Sequence, residues 1–518
     1  MSDATDPGIR VTEIASMDQA IELKSDTTAA FVGRALRGPL DTPVPISSVN
    51  AFARRFGGSW QHSTLGPAVE QFFAHGGRRL HVVRVANNAR GAMICLPAGN
   101  GVLVLRAREP GSSEQIRAAV DYDGIDAGDS DHFNLVVQRV SPETRLVVDQ
   151  EIYRRVSCRA ESRTFLGDAL QASALVALQL PLPAGRPAAT MGRGVDARTP
   201  YVEHAQRGTD GAQLSDYDLI GSATAGTGLF ALDQVERLDL LYLPPPARER
   251  DAGPAALLAA ELYCRRRGAM LIMDPPSCWQ SAADAVAGMR EAAYASPNML
   301  AYFPRLAVRG DADTMPRPAG GAIAGLLCKA DADAGPWCDP EVRPLRREFT
   351  PAAALTPAQV ALLNRAGLNA LAADGARPAG LRGGVTLGRG TAADRHLALL
   401  EPRRLCLAIT NTIERATRWA VFEADGARIA VRLKAQVSEY MAALAAAGAF
   451  AEPAFSVQCD AGAPLPPAHP RRSITVLLTF QPPRCDTPLT LTLHQTVAGC
   501  RVATTAFAPA RAATAACA

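Results

Sequence analysis

An interrupted alternation of strand-length apolar runs and helical segments constrains this chain more than any other feature. Ala29-Ala30-Phe31-Val32-Gly33 is an apolar run closing on a glycine; Leu65, Val69, Phe72 and Phe73 then mark one face of a helix that Gly76-Gly77 stops, and Leu80 to Val85 is a second strand. Strand, helix and strand in that order predict an α/β core begun early in the chain. The alternation resumes with Leu238 to Leu243, a helix over Pro254 to Arg267 and a strand over Ala269 to Met273. Between them, Ala86 to Gly211 is rich in glycine and proline and carries short alternating runs at Gly101 to Leu105, Asn134 to Val140 and Thr144 to Val148. The core is therefore expected to be split by a β-rich insertion.

Length and charge narrow the function classes. A chain of 518 residues is too long for one core and predicts about three domains. With 54 basic and 51 acidic residues the net charge is +3, which gives no global pull toward nucleic acid or an anionic membrane. No run is long and apolar enough to span a bilayer, and Met1 to Asp6 has no apolar signal core, so cytosolic synthesis is expected. The 11 cysteines include no Cys-x-x-Cys pair and read as free, mostly buried thiols. Gly226-Thr227-Gly228 lacks the lysine and hydroxyl of a phosphate loop, and the Asp121 to Asp131 cluster lacks the closing glutamate of a calcium loop. The eight histidines are not at metal-ligand spacing, and no Gly-x-Ser-x-Gly elbow occurs. No catalytic residue, cofactor site or metal site is expected.

The C-terminal third reads as a second α/β unit. Leu405 to Ile409 is a short apolar run of strand length, followed by Asn411 as a helix cap with Glu414 reaching back. From Ala427, Ile429, Leu433, Val437, Tyr440, Met441 and Leu444 recur at helical spacing until Gly448. Strands are expected over Phe455 to Cys459 and Ile474 to Phe480. Beyond Pro482-Pro483 and Pro488, Leu489, Leu491 and Leu493 alternate with polar residues as a separate strand, and the tail from Val502 shows no clear period. At the other end, Ile9, Val11, Glu13 and Ile14 lie in an extended arm after Pro7-Gly8. Both the arm and the Leu489 strand have two readings: pairing within their own chain, or addition to the sheet of a neighbouring copy.

The order of motifs resembles the sheath proteins of contractile phage tails and related injection systems. In the C-terminal unit the resemblance lies in Arg403-Arg404-Leu405, Ile413-Glu414-Arg415, Arg418-Trp419-Ala420-Val421-Phe422-Glu423 and Val457-Gln458-Cys459-Asp460. Earlier it lies in Pro7 to Glu13, Thr28 to Ala35 with Arg37-Gly38-Pro39, Phe72 to Gly77, Thr227-Gly228-Leu229, Tyr302 to Leu306 and Leu362-Leu363-Asn364. Departures fall at Trp337-Cys338-Asp339-Pro340 and Gly383 to Leu387, and the insertion is the least similar part.

The resemblance implies a multidomain α/β tail-sheath-like fold with an α/β core, a β-rich insertion and extended arms at both ends. Its expected parts are an N-terminal arm (1–25), the first and second parts of the core (26–85 and 212–395) around the insertion (86–211), a C-terminal α/β domain facing the tube (396–484), and a C-terminal arm and tail (485–518). It further implies a structural, non-enzymatic subunit stacked in hexameric rings around an inner tail tube, with baseplate and terminal cap proteins as further partners. Assembly would occur in the bacterial cytoplasm, before the particle serves as a phage tail or a released injection device. Neither nucleic acid binding nor membrane insertion is implied. Ile9, Val11, Glu13, Ile14, Leu489, Leu491 and Leu493 would be inter-subunit strand residues; Arg428, Arg432 and Lys434 would face the tube, or simply form a solvated helix face. A divergent sheath paralogue acting as an adaptor at the baseplate or cap, and a static shell protein, are the alternatives.

Overall fold

The computed structural model describes residues 21, 23, 26–190, 201–292, 294–310, 315–340, 343–375, 377–390, 398–422, 426–452, 454–460, 474–496 and 499–506. Two units divide the chain: Asp26–Arg403, and Arg404–Ala518 grouped with Met1–Ser25.

In the first unit, β1 (Ala29–Gly33), β2 (Val44–Ile46), α1 (Val49–Phe56), α2 (Leu65–Ala74) and β3 (Leu80–Arg84) come first. The chain then runs through β4 (Met93–Ala98), β5 (Gly101–Ala107), β6 (Ile116–Asp121), β7 (His132–Val140), β8 (Val147–Ser157), α3 (Leu166–Ala169), β9 (Val176–Gln179) and β10 (Val202–Glu203). It returns as α4 (Asp216–Ile220), β11 (Leu240–Tyr242), α5 (Pro254–Arg267), β12 (Met270–Met273), α6 (Ala282–Ala292), β13 (Met299–Phe303) and β14 (Leu306–Val308). The unit continues with α7 (Gly320–Ala334), β15 (Phe349–Pro351), α8 (Pro357–Arg365), β16 (Asn369–Asp374) and β17 (Arg377–Arg382).

One sheet in the order β17-β16-β13-β12-β11-β1-β3-β2 organises this unit. Its six inner strands are parallel and the two edge strands, β2 and β17, are antiparallel. Parallel strands need helical crossovers and are covered on both faces, which explains why β1, β12 and β13 are buried at every position. One face carries Ala30, Val32, Leu241 and Leu271 against Ala260 and Cys264 of α5 and Ala285 of α6. On the other, Phe31 meets Phe72 of α2 edge to face at 5.5 Å and Tyr242 at 5.1 Å. Helix α5 starts with Pro254 at its first position and stops at Gly268 in the left-handed conformation. Helices α2 and α7 approach through glycine: a Cβ on Gly321 would lie 2.3 Å from the Ala68 carbonyl oxygen, and one on Gly325 would lie 2.4 Å from that of Phe72.

The segment between β3 and α4 forms two antiparallel sheets, β4-β5-β9 and β10-β6-β7-β8, sharing an apolar core that includes Leu103, Leu105, Val120, Phe133 and Leu135. Its attachment is polar: Arg34 donates to the carbonyls of Asp210 (3.0 Å) and Gly211 (3.1 Å), and Arg55 of α1 pairs with Glu109 at 2.6 Å. At the end of β3, buried Arg84 donates to the carbonyls of Ala35 (3.0 Å) and Gly38 (2.6 Å), and burial lowers its pKa to about 10. Within the insertion, Arg139 of β7 pairs with Glu114 at 2.7 Å.

The second unit contains most of α9 (Leu400–Ala416), then α10 (Gly426–Ala446) and a four-stranded antiparallel sheet, β18 (Phe455–Asp460), β19 (Ile474–Phe480), β20 (Leu489–Thr496) and β21 (Gly499–Ala506). Two sequence expectations fail here. Leu405 to Ile409 is helical, not a strand, and Asn411 lies within the same helix, not at its start. The reason is periodicity: Leu405, Ile409 and Ile413, four residues apart, are all buried, so the five-residue run is one slice of a longer helical stripe. The tail beyond Val502 is also structured as far as Ala506, as part of β21. In the insertion, the run expected from Thr144 begins only at Val147, because Ser141 to Leu146 form the turn out of β7.

Candidate assembly interface

The C-terminal sheet is built by matched two-residue periods. Ile474, Val476, Leu478 and Phe480 of β19 are buried, and so are Leu489, Leu491 and Leu493 of β20. Their register pairs Phe480 with Leu489, Leu478 with Leu491 and Val476 with Leu493, so the apolar side chains share one face. Val457 of β18 pairs with Leu478 and extends that face. Helix α10 packs against β18, with Ile429, Leu433, Val437 and Met441 buried along its inner stripe. The opposite face is threonine-rich: the Thr479 and Thr490 hydroxyls lie 3.3 Å apart, and Thr475 Oγ1 lies 3.1 Å from His494 Nδ1.

Leu489, Leu491 and Leu493 are thus placed in an inner strand, paired with β19 on one side and β21 on the other within their own chain. Within the chain this is the first of the two expected readings, and the proline break does not separate the strand from β19. Pro482 accepts the N–H of Cys485 at 3.3 Å in a turn joining β19 to β20, so the prolines shape the connection and leave the pairing intact. Among the described residues the sheet edges are β18 and β21. Sequence reasoning missed β21 because it lacks large apolar residues; the available signal was Cys500, Val502 and Thr504 falling at every second position. Ile9, Val11, Glu13 and Ile14 lie outside the described residues.

The three candidate tube-facing cations sit on α10 but are not equivalent. Arg428 and Lys434 are exposed, whereas the Arg432 guanidinium lies over the Trp419 ring at 4.7 Å from its centroid. On β18, burial pushes the Cys459 thiol up to about 11, so it stays a neutral thiol.

In open parallel sheets, ligands bind beyond the carboxyl ends of the strands. In the first unit this end is stitched by the chain itself. Asp274, after β12, accepts from the Tyr242 hydroxyl and from the N–H groups of Ala319 (3.0 Å) and Gly320 (2.9 Å), capping the start of α7. Burial raises the Asp274 pKa, opposed by the nearby Arg305 and these donors. Arg305 itself pairs with Asp251 and donates to the Pro275 carbonyl at 3.1 Å. A Cβ on Gly320 would sit 2.2 Å from the Tyr242 ring, so α7 begins in close contact with β11.

Neither known family profiles nor curated protein sequences match the chain. Solved structures do. A sheath tail protein of Listeria innocua superposes with a TM-score of 0.61 at 12% identity, covering 92% of this chain and 96% of that one. One from Desulfitobacterium hafniense gives 0.53 at 15%, covering 92% and 98%. The contracted-state sheath complex of an extracellular contractile injection system, PVC, gives 0.52 at 14%, covering 93% and 96%. The chain therefore has the tail sheath protein fold, a multidomain α/β architecture spanning nearly its whole length.

Proposed function

We propose that this chain is a structural subunit of a contractile tail sheath, polymerising around an inner tube and contracting to drive the tube through a target envelope. The observation that carries the reading is the near-complete two-way coverage by sheath structures, one of them in a contracted state. In this reading the energy of contraction is the difference between two packings of the same copies. A few kcal/mol per copy, on the order of one set of interfacial contacts, sums over the assembly to a large force.

In this reading the N-terminal residues Ile9, Val11, Glu13 and Ile14 add a strand to an edge of the C-terminal sheet of another copy, β18 or β21 being the acceptor. The β20–β21 hairpin, with Leu489, Leu491 and Leu493, supplies the sheet that receives it. Arg428, Arg432 and Lys434 face the tube. Baseplate and cap proteins bind the ends of the stack, which assembles in the cytoplasm.

Deleting residues 1–20 should abolish polymerisation and leave a folded monomer; tubes formed by the truncated protein would refute the exchanged arm. A second reading, an adaptor ring, is favoured by similarity to a chain of the six-fold anti-feeding prophage baseplate structure, with a TM-score of 0.51 at 16% identity. Electron microscopy separates the two: extended tubes mark the sheath, single rings the adaptor.

A further inference from the structure

Two exposed features of the first unit are complementary in character, and neither is covered by the chain among the described residues. The first is the tip of the β7–β8 hairpin. Leu146 in the turn is 68% exposed, and Val148 and Ile152 on the edge strand β8 are 63% and 52% exposed. Arg145 takes the left-handed conformation at the turn, and a register shift at this end leaves Val148 between the paired residues Val147 and Asp149. Arg145 is neutralised by Glu203 at 2.8 Å. Glu143 makes no ion pair among the described residues, and Asp149 reaches Arg139 only at 4.0 Å, so the apolar tip is flanked by acid. Isolated apolar residues on a surface need no explanation, but several exposed within one short hairpin segment point to a contact site.

The second feature is a groove of about 370 Å³ between α6 and α8. Val286, Met289 and Leu387 form its floor, Leu362 lies on one wall, and Arg290 and Arg365 stand on the rim. Among the described residues neither arginine makes an ion pair. This volume lies near the lower end of pockets that enclose an organic group, about 300–1,000 Å³. An apolar floor with two unpaired cations takes an apolar segment flanked by carboxylates.

We infer that the occupant is the Leu146–Val148 tip of a second copy, its Glu143 and Asp149 meeting Arg290 and Arg365. Charge complementarity selects this occupant. The two features belong to different parts of the unit. The insertion leaves the sheet at β3, whereas the groove lies under β13 and β16, four strand spacings away, roughly 19 Å. Different patches on the two partners permit a head-to-tail contact, which closes a ring or propagates a helix, whereas reciprocal seating of both tips would close a two-fold dimer. The inference rests on the reading of the chain as a self-assembling subunit and names one contact through which the copies would join.

The test mixes full-length Leu146→Cys with full-length Leu362→Cys, oxidises, and maps cross-linked peptides by mass spectrometry. Both positions are exposed, and unchanged melting of each variant verifies its fold. The expected product is a 146–362 peptide formed between the two populations. Adding Arg290→Glu and Arg365→Glu to the groove partner should reduce it about tenfold or more, and Glu143→Arg with Asp149→Arg on the tip partner should restore it. No 146–362 peptide, or a yield indifferent to charge reversal, overturns the contact. Microscopy of the wild-type protein keeps the two ideas apart: tubes without the cross-link leave the sheath reading standing alone, and the cross-link without tubes or rings leaves the contact standing alone.

Discussion

Replacing Leu491 by alanine separates a strand that belongs to its own sheet from one that pairs only after assembly. Leu491 is 0% exposed and sits between Leu478 on β19 and Thr504 on β21. Truncation removes about three methylene equivalents, roughly 2.4 kcal/mol of transfer free energy at 0.8 kcal/mol each. The cavity left in the middle of a four-stranded sheet adds to this, so about 3–4 kcal/mol is expected. For a unit of this size that corresponds to a fall of about 10–15 °C in its melting temperature. The assay is calorimetry on the dilute, unassembled protein, with Thr492→Ala as a control on the opposite, half-buried face, where a change of under about 1 kcal/mol is expected. If Leu491→Ala left the melting of the unassembled chain unmoved while still impairing polymerisation, β20 would be folded only in a partner's sheet and the intrachain register would be refuted.

Other perturbations have definite expected outcomes. Gly321→Ala gains about 1 kcal/mol of helix propensity, but its Cβ would meet the Ala68 backbone oxygen at 2.3 Å, so net destabilisation of about 2 kcal/mol is expected by denaturant unfolding. Asp129 accepts from His132 Nδ1 (2.8 Å) and from the N–H groups of Asp131 and His132, which lowers its pKa from 3.8 to about 2. A depressed carboxyl pKa stabilises above the unfolded value and loses that contribution as pH falls through the folded one. The melting difference between wild type and Asp129→Asn should therefore be constant down to about pH 4 and vanish toward about pH 2; a pH-independent gap would contradict it. Arg428→Glu with Lys434→Glu should leave melting unchanged and weaken co-sedimentation with tube polymers, an effect that grows as salt is lowered; equal co-sedimentation would remove α10 from the tube-facing surface.

The parallel core was legible because its signals are local and redundant. Ala29 to Gly33 is apolar throughout, as a strand covered on both faces must be, and α5 announces itself with Pro254 and stops at Gly268. Leu405 to Ile409 was misread because five apolar residues fit a strand or one side of a buried helix equally well, and only the spacing to Ile413 decides. β21 was invisible for a different reason: its place in the sheet is set by its partner's register, not by its own hydrophobicity. The hairpin tip and the Arg-rimmed groove lie far apart in sequence, around residues 146 and 290 to 365, so their complementarity exists only in the fold.

The central claim is that many copies of this chain pack into a hollow helical stack. Negative-stain electron microscopy of the purified full-length protein, concentrated in moderate salt, tests it most directly. The account predicts wide hollow tubes with a regular axial repeat, lost on deletion of residues 1–20. Dispersed single particles at every concentration, from a protein that is folded by calorimetry, would contradict it.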